Sequence, residues 1–273
     1  MKKRFFKMLN LGIRQFSDPY YQGFAAQLSF YFILSLVPIL ILISQALSLI
    51  FKQDLQDAVG WLIDYFGNSP IARQIEGLLL GSGGGAMSVV FVAVAIWAAS
   101  RAQFSLMRIT NFTFSEGQTT GKGFWRDRFR AVKTMSLTII TIIFAIVVLM
   151  YGDAILTLAL KIVGKEAAAG KIWLILRWPI AIVLYFFMIS YIYYVLPSNR
   201  VKYRDVIPGS IFASVGLLAV TAIYSRYVGS VANYNVLYGS LATIVALMFW
   251  FYFLAWVLCL GVLFNKVWAD TKW

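Results

Sequence analysis

The sequence predicts an all-α, polytopic membrane helical bundle with six transmembrane helices and both termini in the cytoplasm. Three observations predict it. Of 273 residues, 61% are hydrophobic and 13% charged, about half the charged share of a soluble domain. The apolar residues gather into six runs, each long enough at about 1.5 Å per helical residue to cross most or all of a hydrocarbon core of about 30 Å. Basic residues then crowd into every second connection between those runs.

The runs cover residues 28–51, 86–107, 134–160, 172–196, 206–224 and 237–264. The segments between them are too short to build a core of their own, so 1–273 reads as a single integral membrane domain. Lys2, Lys3, Arg4 and Lys7 precede the first run, as in a secretory signal. That run is longer than the roughly 7–15 apolar residues of a signal sequence, and no A-x-A-like site follows it, so a permanent span is expected. Gln27 and Ser29 open it beside Ala25 and Ala26, and Pro38 falls inside it. A proline there frees a carbonyl that neighbours or water must satisfy.

The first external connection holds two short amphipathic helices in this reading. Leu55, Val59, Leu62, Ile63 and Phe66 share one helical face, and Ile71, Ile75, Leu78 and Leu79 repeat the pattern after Pro70. Gly81, Gly83, Gly84 and Gly85 form a hinge into the second run, which carries Arg101 about two turns from its inner end. Arg101 either snorkels to lipid or lines an inner vestibule.

Ahead of the third run, Phe124-Trp125-Arg126-Asp127-Arg128-Phe129-Arg130 interleaves rings and bases. Nucleic-acid proteins do this, and so do interfacial helices, whose rings sit at headgroup level. The position just before a span favours the second case, with Arg126, Arg128 and Arg130 on anionic headgroups. Asp153 and Arg177 lie at similar depth in the third and fourth runs, and their adjacency predicts a buried ion pair. Such a pair either orients two helices or marks a polar cavity.

The fourth connection, from Pro197 to Gly209, reads as a tight turn in which Arg200, Lys202 and Arg204 add headgroup contacts. Asp205 is placed to cap the next helix with Pro208 in its first turn. Gly209 and Ala213, then Ser210 and Ser214, offer a small-residue face for close helix packing. Asn233, Asn235 and Tyr238 enter the sixth run from outside and are candidates for an external mouth, as Arg101, Asp153 and Arg177 are for a cavity.

The charge balance sets the expected orientation. The N-terminal segment, the second and fourth connections and the C-terminus hold seventeen of the 24 basic residues and five of the 11 acids. The opposite side holds seven bases and six acids, so nearly all of the +13 net charge faces one way. Positive residues in short loops stay cytoplasmic, which puts both termini inside. The charge needs only anionic lipid as partner, not nucleic acid. The chain leaves room for a homo-oligomer.

The lone Cys259 allows no intrachain disulfide, and there is no histidine. No metal ligand set and no cofactor motif is legible. Gly117-x-x-x-Gly121-Lys122-Gly123 departs from a phosphate-binding loop in spacing and lacks the hydroxyl after lysine.

Several stretches together resemble the YihY/virulence factor BrkB family of bacterial membrane proteins, formerly described as ribonuclease BN-like. They are Ala25-Ala26 through Ser29-Phe30-Tyr31 to Ser35 and Pro38; Trp97, Ser100 and Arg101; Phe124-Trp125-Arg126; Pro197-x-Asn199-Arg200; Arg204-Asp205; Pro208-Gly209; and Tyr238-Gly239-Ser240-Leu241. The stretch Gly261-Val262-Leu263-Phe264-Asn265 departs from the pattern, in which an acid often stands between Gly and Asn. The resemblance implies a six-helix inner-membrane protein linked to envelope lipid or solute movement. Three functions follow. A transporter of a lipid or other amphiphilic envelope substrate, not ATP-driven by itself, fits the near-loopless bundle. A non-catalytic scaffold or accessory subunit fits it too. A ribonuclease fits least, because the acids of the basic segments are scattered.

Overall fold

The computed structural model describes residues 19–48, 86–162, 169–198, 201–231 and 235–271, with isolated residues 6, 10, 13, 17 and 60. Among these the regular structure is six helices: α1 (Pro19–Ser48), α2 (Ala86–Phe114), α3 (Phe124–Lys161), α4 (Ala169–Val195), α5 (Tyr203–Val231) and α6 (Asn235–Asp270). The two amphipathic helices and the glycine hinge expected between 52 and 85 lie outside the described residues, Gly60 apart.

Helix is what an apolar chain must form in lipid, where each backbone N–H and C=O needs a partner within the segment. Five of the six helices contain a stretch long and apolar enough to cross a membrane. The other, α2, has 29 residues and carries Arg101, Gln103 and Arg108 in its second half. Outward faces are apolar: on α4, Leu174, Ile175, Trp178, Val183 and Phe187 are all exposed. Such a surface in water would be a large aggregation-prone patch, whereas hydrocarbon covers it without cost. The protein is a membrane protein of apolar helices.

The helices run past their apolar stretches. The shortest, α4, has 27 residues and the longest, α3, has 38; at 1.5 Å per residue these span about 40 and 57 Å. The excess sits in particular places. α3 starts ten residues before its apolar run, α1 nine before, and α2 continues seven beyond. α1 continues through Pro38.

The chain divides into two compact units. The first comprises 1–33, 102–134 and 182–273, so every helix contributes to it. Its core gathers Ala25 and Leu28 of α1, Met107 and Ile109 of α2, Ala131 of α3, Ile189 and Tyr193 of α4, Val206 and Ala213 of α5, and Cys259 and Val262 of α6. The small-residue face expected on α5 is the face that packs. Ala213, Ser210 and Ser214 are buried, and the two serine hydroxyls donate back to the carbonyls of Val206 and Ser210 at 2.6 and 2.7 Å. A Cβ at Gly209 would strike the Gly261 carbonyl oxygen and the Asn265 carboxamide, and one at Gly261 would strike the Tyr193 hydroxyl. Three helices therefore meet at two glycines. The Tyr193 hydroxyl closes the contact by donating to the Leu258 carbonyl at 2.8 Å.

The second unit comprises 34–101 and 135–181. Its described packing centres on Gly152 of α3, where a Cβ would overlap the indole of Trp173 on α4. The neighbouring Asp153 carboxylate lies 3.9 Å from the point where Gly170 would carry a Cβ. It thus faces the first turn of α4, where free N–H groups and the helix dipole favour an anion.

Candidate functional site

The site is built in the first unit, where the second and fourth connections meet. α2 ends in a Schellman-type turn: Gly117 N–H reaches the Phe112 carbonyl at 2.9 Å and Glu116 N–H the Thr113 carbonyl at 3.4 Å. Glu116 occupies the left-handed position usually given to glycine, with φ 55°. Its carboxylate accepts from Lys266 of α6 at 2.9 Å, and the same ammonium reaches Asp270 at 2.9 Å. This hydrogen bond and the ammonium's charge hold the Glu116 carboxyl below its ordinary value of 4.5. The connection then folds on itself, with the Ser115 hydroxyl donating to Thr119 O at 2.9 Å and accepting from Thr119 N at 3.0 Å.

Asn111, buried near the end of α2, bridges the two connections. Its amide donates to Thr120 O at 3.1 Å, and its oxygen accepts from Ser198 N at 2.7 Å. Asp127, in the first turn of α3 and 4% exposed, accepts from Lys122 N at 2.8 Å. Gly121 makes this approach feasible, because a Cβ there would overlap the Asp127 carboxylate.

Arg130 joins α3 to the end of α4. One guanidinium nitrogen donates to the carbonyls of Val195, Leu196 and Pro197 at 2.7, 3.3 and 2.9 Å. The other donates to the Ser198 hydroxyl at 3.2 Å and lies 3.8 Å from Asp127. A cation there satisfies the orphan carbonyls of a helix C-terminus and complements its dipole.

Beside Arg130 opens a groove of about 700 Å³, lined by Lys122, Arg126, Arg130, Tyr194, Pro197, Ser198, Val201, Lys202 and Tyr203. Among the described residues four cations line it and no carboxylate does. Lys122, Arg126 and Lys202 form no ion pair among the described residues. Tyr194 and Tyr203 meet edge to face at 5.7 Å. The groove can take an anion with an apolar body. No group of three His, Cys, Asp or Glu placed to hold a metal occurs among the described residues.

Of the six bases expected on headgroups, Arg126, Arg130 and Lys202 come together here, and Arg204 is exposed on the first turn of α5. Arg128 is a correction: it is 3% exposed and lies 5.6 Å over the Phe104 ring, so packing within the bundle uses it. Arg130 is half turned inward by the α4 carbonyls. Arg200 and Asn233 lie outside the described residues, and of Asn235 and Tyr238 only their places at the start of α6 are described.

The expected Asp153–Arg177 pair does not form. Asp153 is level with Gly170, and Arg177 lies seven residues further along α4, about 10 Å at the helical rise. Arg177 is exposed and sits 5.6 Å from the Trp178 ring, and Arg101 is exposed on α2. Pro208 is the sixth residue of α5 rather than part of its first turn, which does hold Asp205. The sequence did not single out Lys122, Tyr194, Ser198 or Tyr203. The available signal was that each flanks or belongs to a basic connection.

Comparison with known proteins agrees with a membrane bundle. The chain is 28% identical over 255 residues to the ribonuclease-like protein YfkH of Bacillus subtilis (strain 168), covering 92% of this chain and 91% of that one. It is 27% identical over 209 residues to a UPF0761 membrane protein of Albidiferax ferrireducens, covering 73% of this chain and 46% of that protein. A UPF0761 membrane protein of Verminephrobacter eiseniae is 30% identical over 252 residues, 86% of this chain and 55% of the relative. The chain thus spans about half the length of these two UPF0761 relatives. No solved structure matches it. The family model for virulence factor BrkB matches residues 13–272, and the chain belongs to that family.

Proposed function

We propose that the protein moves an anionic lipid or similar amphiphile across the bacterial cytoplasmic membrane, with the basic groove as the place where the polar head is held. The observation that supports this most is the groove itself: four cations, no carboxylate among the described residues, and two tyrosines, set in a bundle whose outer faces are apolar. In the orientation favoured by the charge bias, with both termini inside, the groove belongs to the cytoplasmic leaflet. Movement is passive or gradient-driven, and Arg101, Asp153 and Arg177, exposed charges of the second unit, are proposed as further substrate contacts.

The test is reconstitution into liposomes with a fluorescent anionic phospholipid. Faster transbilayer movement than in protein-free liposomes is expected, and Arg126→Gln with Lys202→Gln slows it about tenfold, as loss of charge-assisted bonds predicts. Asp153→Asn slows it with folding intact. No acceleration across a panel of lipids sinks the transport reading and favours a scaffold.

The ribonuclease-like name of the Bacillus relative supports a second reading, in which the groove holds an RNA backbone. Metal-dependent RNA cleavage by the purified protein, abolished by Asp127→Ala, would establish it.

A further inference from the structure

The charge arrangement of the groove specifies its ligand further. Building on the lipid-binding reading of this groove, we propose that it is a site for a phosphomonoester group, the dianionic phosphate at the end of an amphiphile or of a smaller soluble compound. Lys122 comes from the second connection, Arg126 and Arg130 from α3, and Lys202 from the fourth connection. Like charges gathered from three segments repel unless something neutralises them. Of the carboxylates near this cluster in sequence, Asp127 is buried, accepts from the Lys122 N–H and lies 3.8 Å from Arg130, and Asp205, in the first turn of α5, does not line the groove. A ligand that brings more than one negative charge matches this cluster better than a monoanion does.

A carboxylate brings one charge and two oxygens. A phosphomonoester brings nearly two charges at neutral pH and three strong acceptor oxygens. Arg126 is free to meet it with a planar fork, and the two lysines with point charges. The Ser198 hydroxyl and the phenols of Tyr194 and Tyr203 supply neutral donors. Pro197, Val201 and the tyrosine rings form an apolar strip beside the charges. The volume, about 700 Å³, falls in the range of about 300–1,000 Å³ typical of small-ligand sites. The occupant would also bridge the two connections that Asn111 already joins.

The test uses the full-length protein in neutral detergent, with binding followed calorimetrically. The probes are short-chain phosphatidic acid, phosphatidylglycerol and diacylglycerol, and separately inorganic phosphate. Phosphatidic acid is expected to bind more tightly than phosphatidylglycerol, and diacylglycerol not at all. Arg126→Gln and Lys202→Gln, both on exposed unpaired residues, each lower phosphatidic acid affinity about tenfold. Arg108→Gln, an exposed arginine of the same unit outside the groove, leaves it unchanged. Phosphate binding as tightly as phosphatidic acid assigns the site to a soluble phosphate compound, and much weaker phosphate binding assigns it to lipid. Equal binding of diacylglycerol or phosphatidylglycerol, or affinity indifferent to the groove variants, overturns the proposal. Binding with these properties but no lipid movement in liposomes leaves the site standing and removes only the transport reading.

Discussion

The backbone N–H of Gly209 in α5 donates to Oδ1 of Asn265 in α6 across 2.6 Å, with both residues buried. This bond exists because Gly209 has no side chain. A Cβ would overlap both the Gly261 carbonyl and the carboxamide itself. The backbones of two helices and a buried amide thus share one contact, and the Tyr193 hydroxyl of α4 completes it beside Gly261.

Asn265→Ala leaves the Gly209 N–H without that acceptor in the core. The expected loss of stability is about 1–3 kcal/mol, the cost of a buried unsatisfied donor. Gly209→Ala acts by overpacking instead, and overpacking also costs about 1–3 kcal/mol. Thermal unfolding in detergent measures both. A double variant no worse than the poorer single one is expected, because the two residues share one contact. Wild-type melting in Asn265→Ala would refute the assignment.

Arg130→Gln removes the cation that closes the end of α4. Bonds to charged groups contribute about 1.5–3 kcal/mol, and loss of roughly that size is expected in the unfolding equilibrium. Arg130→Lys restores little, because a point ammonium cannot serve three carbonyls and a hydroxyl as a planar fork does. Hydrogen exchange localises the effect: the amides of Leu196 and Ser198 lose protection before those of the α5–α6 core.

Glu116 gives a pH signature. Its carboxyl is held below the ordinary value of 4.5 by Lys266, so its pair contributes above that value and is lost as pH falls through the lowered one. Wild type and Glu116→Gln are expected to differ by a constant amount from neutral pH down to about 5 and to converge below. Glu116→Gly is informative beside it: it relieves the left-handed backbone at φ 55° while also removing the carboxylate. Melting temperature against pH for the three proteins checks the sign.

Some of this architecture was legible in the sequence. The apolar runs located both ends of α4 and the starts of α5 and α6 to within three residues. They fell short at the basic-segment ends of α1, α2, α3 and α6 and at the far end of α5, where helix continues six to ten residues past the apolar run. Hydropathy reports where lipid begins, whereas a helix ends only where its carbonyls find other partners, as α2 does at Glu116 and Gly117. The small-residue face of α5 was legible because Gly209 and Ala213 recur at helical spacing, and so do Ser210 and Ser214.

The fate of individual charges was not legible. Arg126 and Arg130 share a helical face and Arg128 lies off it, but the sequence does not say which face meets the bundle. Helical rotation turns Arg128 onto Phe104, sends Arg130 to the end of α4 and leaves Arg126 in the groove. Asp153 and Arg177 matched in depth from the ends of their runs, but Gly152 admits Trp173 and sets a register that parts them.

Composition and periodicity alone determined that this is a helical membrane protein with asymmetric charge, because transfer of apolar residues into lipid is additive along the chain and needs no partner. Which charges are spent inside the bundle and which stay free in a groove was decided only by tertiary structure. That choice depends on rotation and register between helices, and a few glycines at the contacts control both.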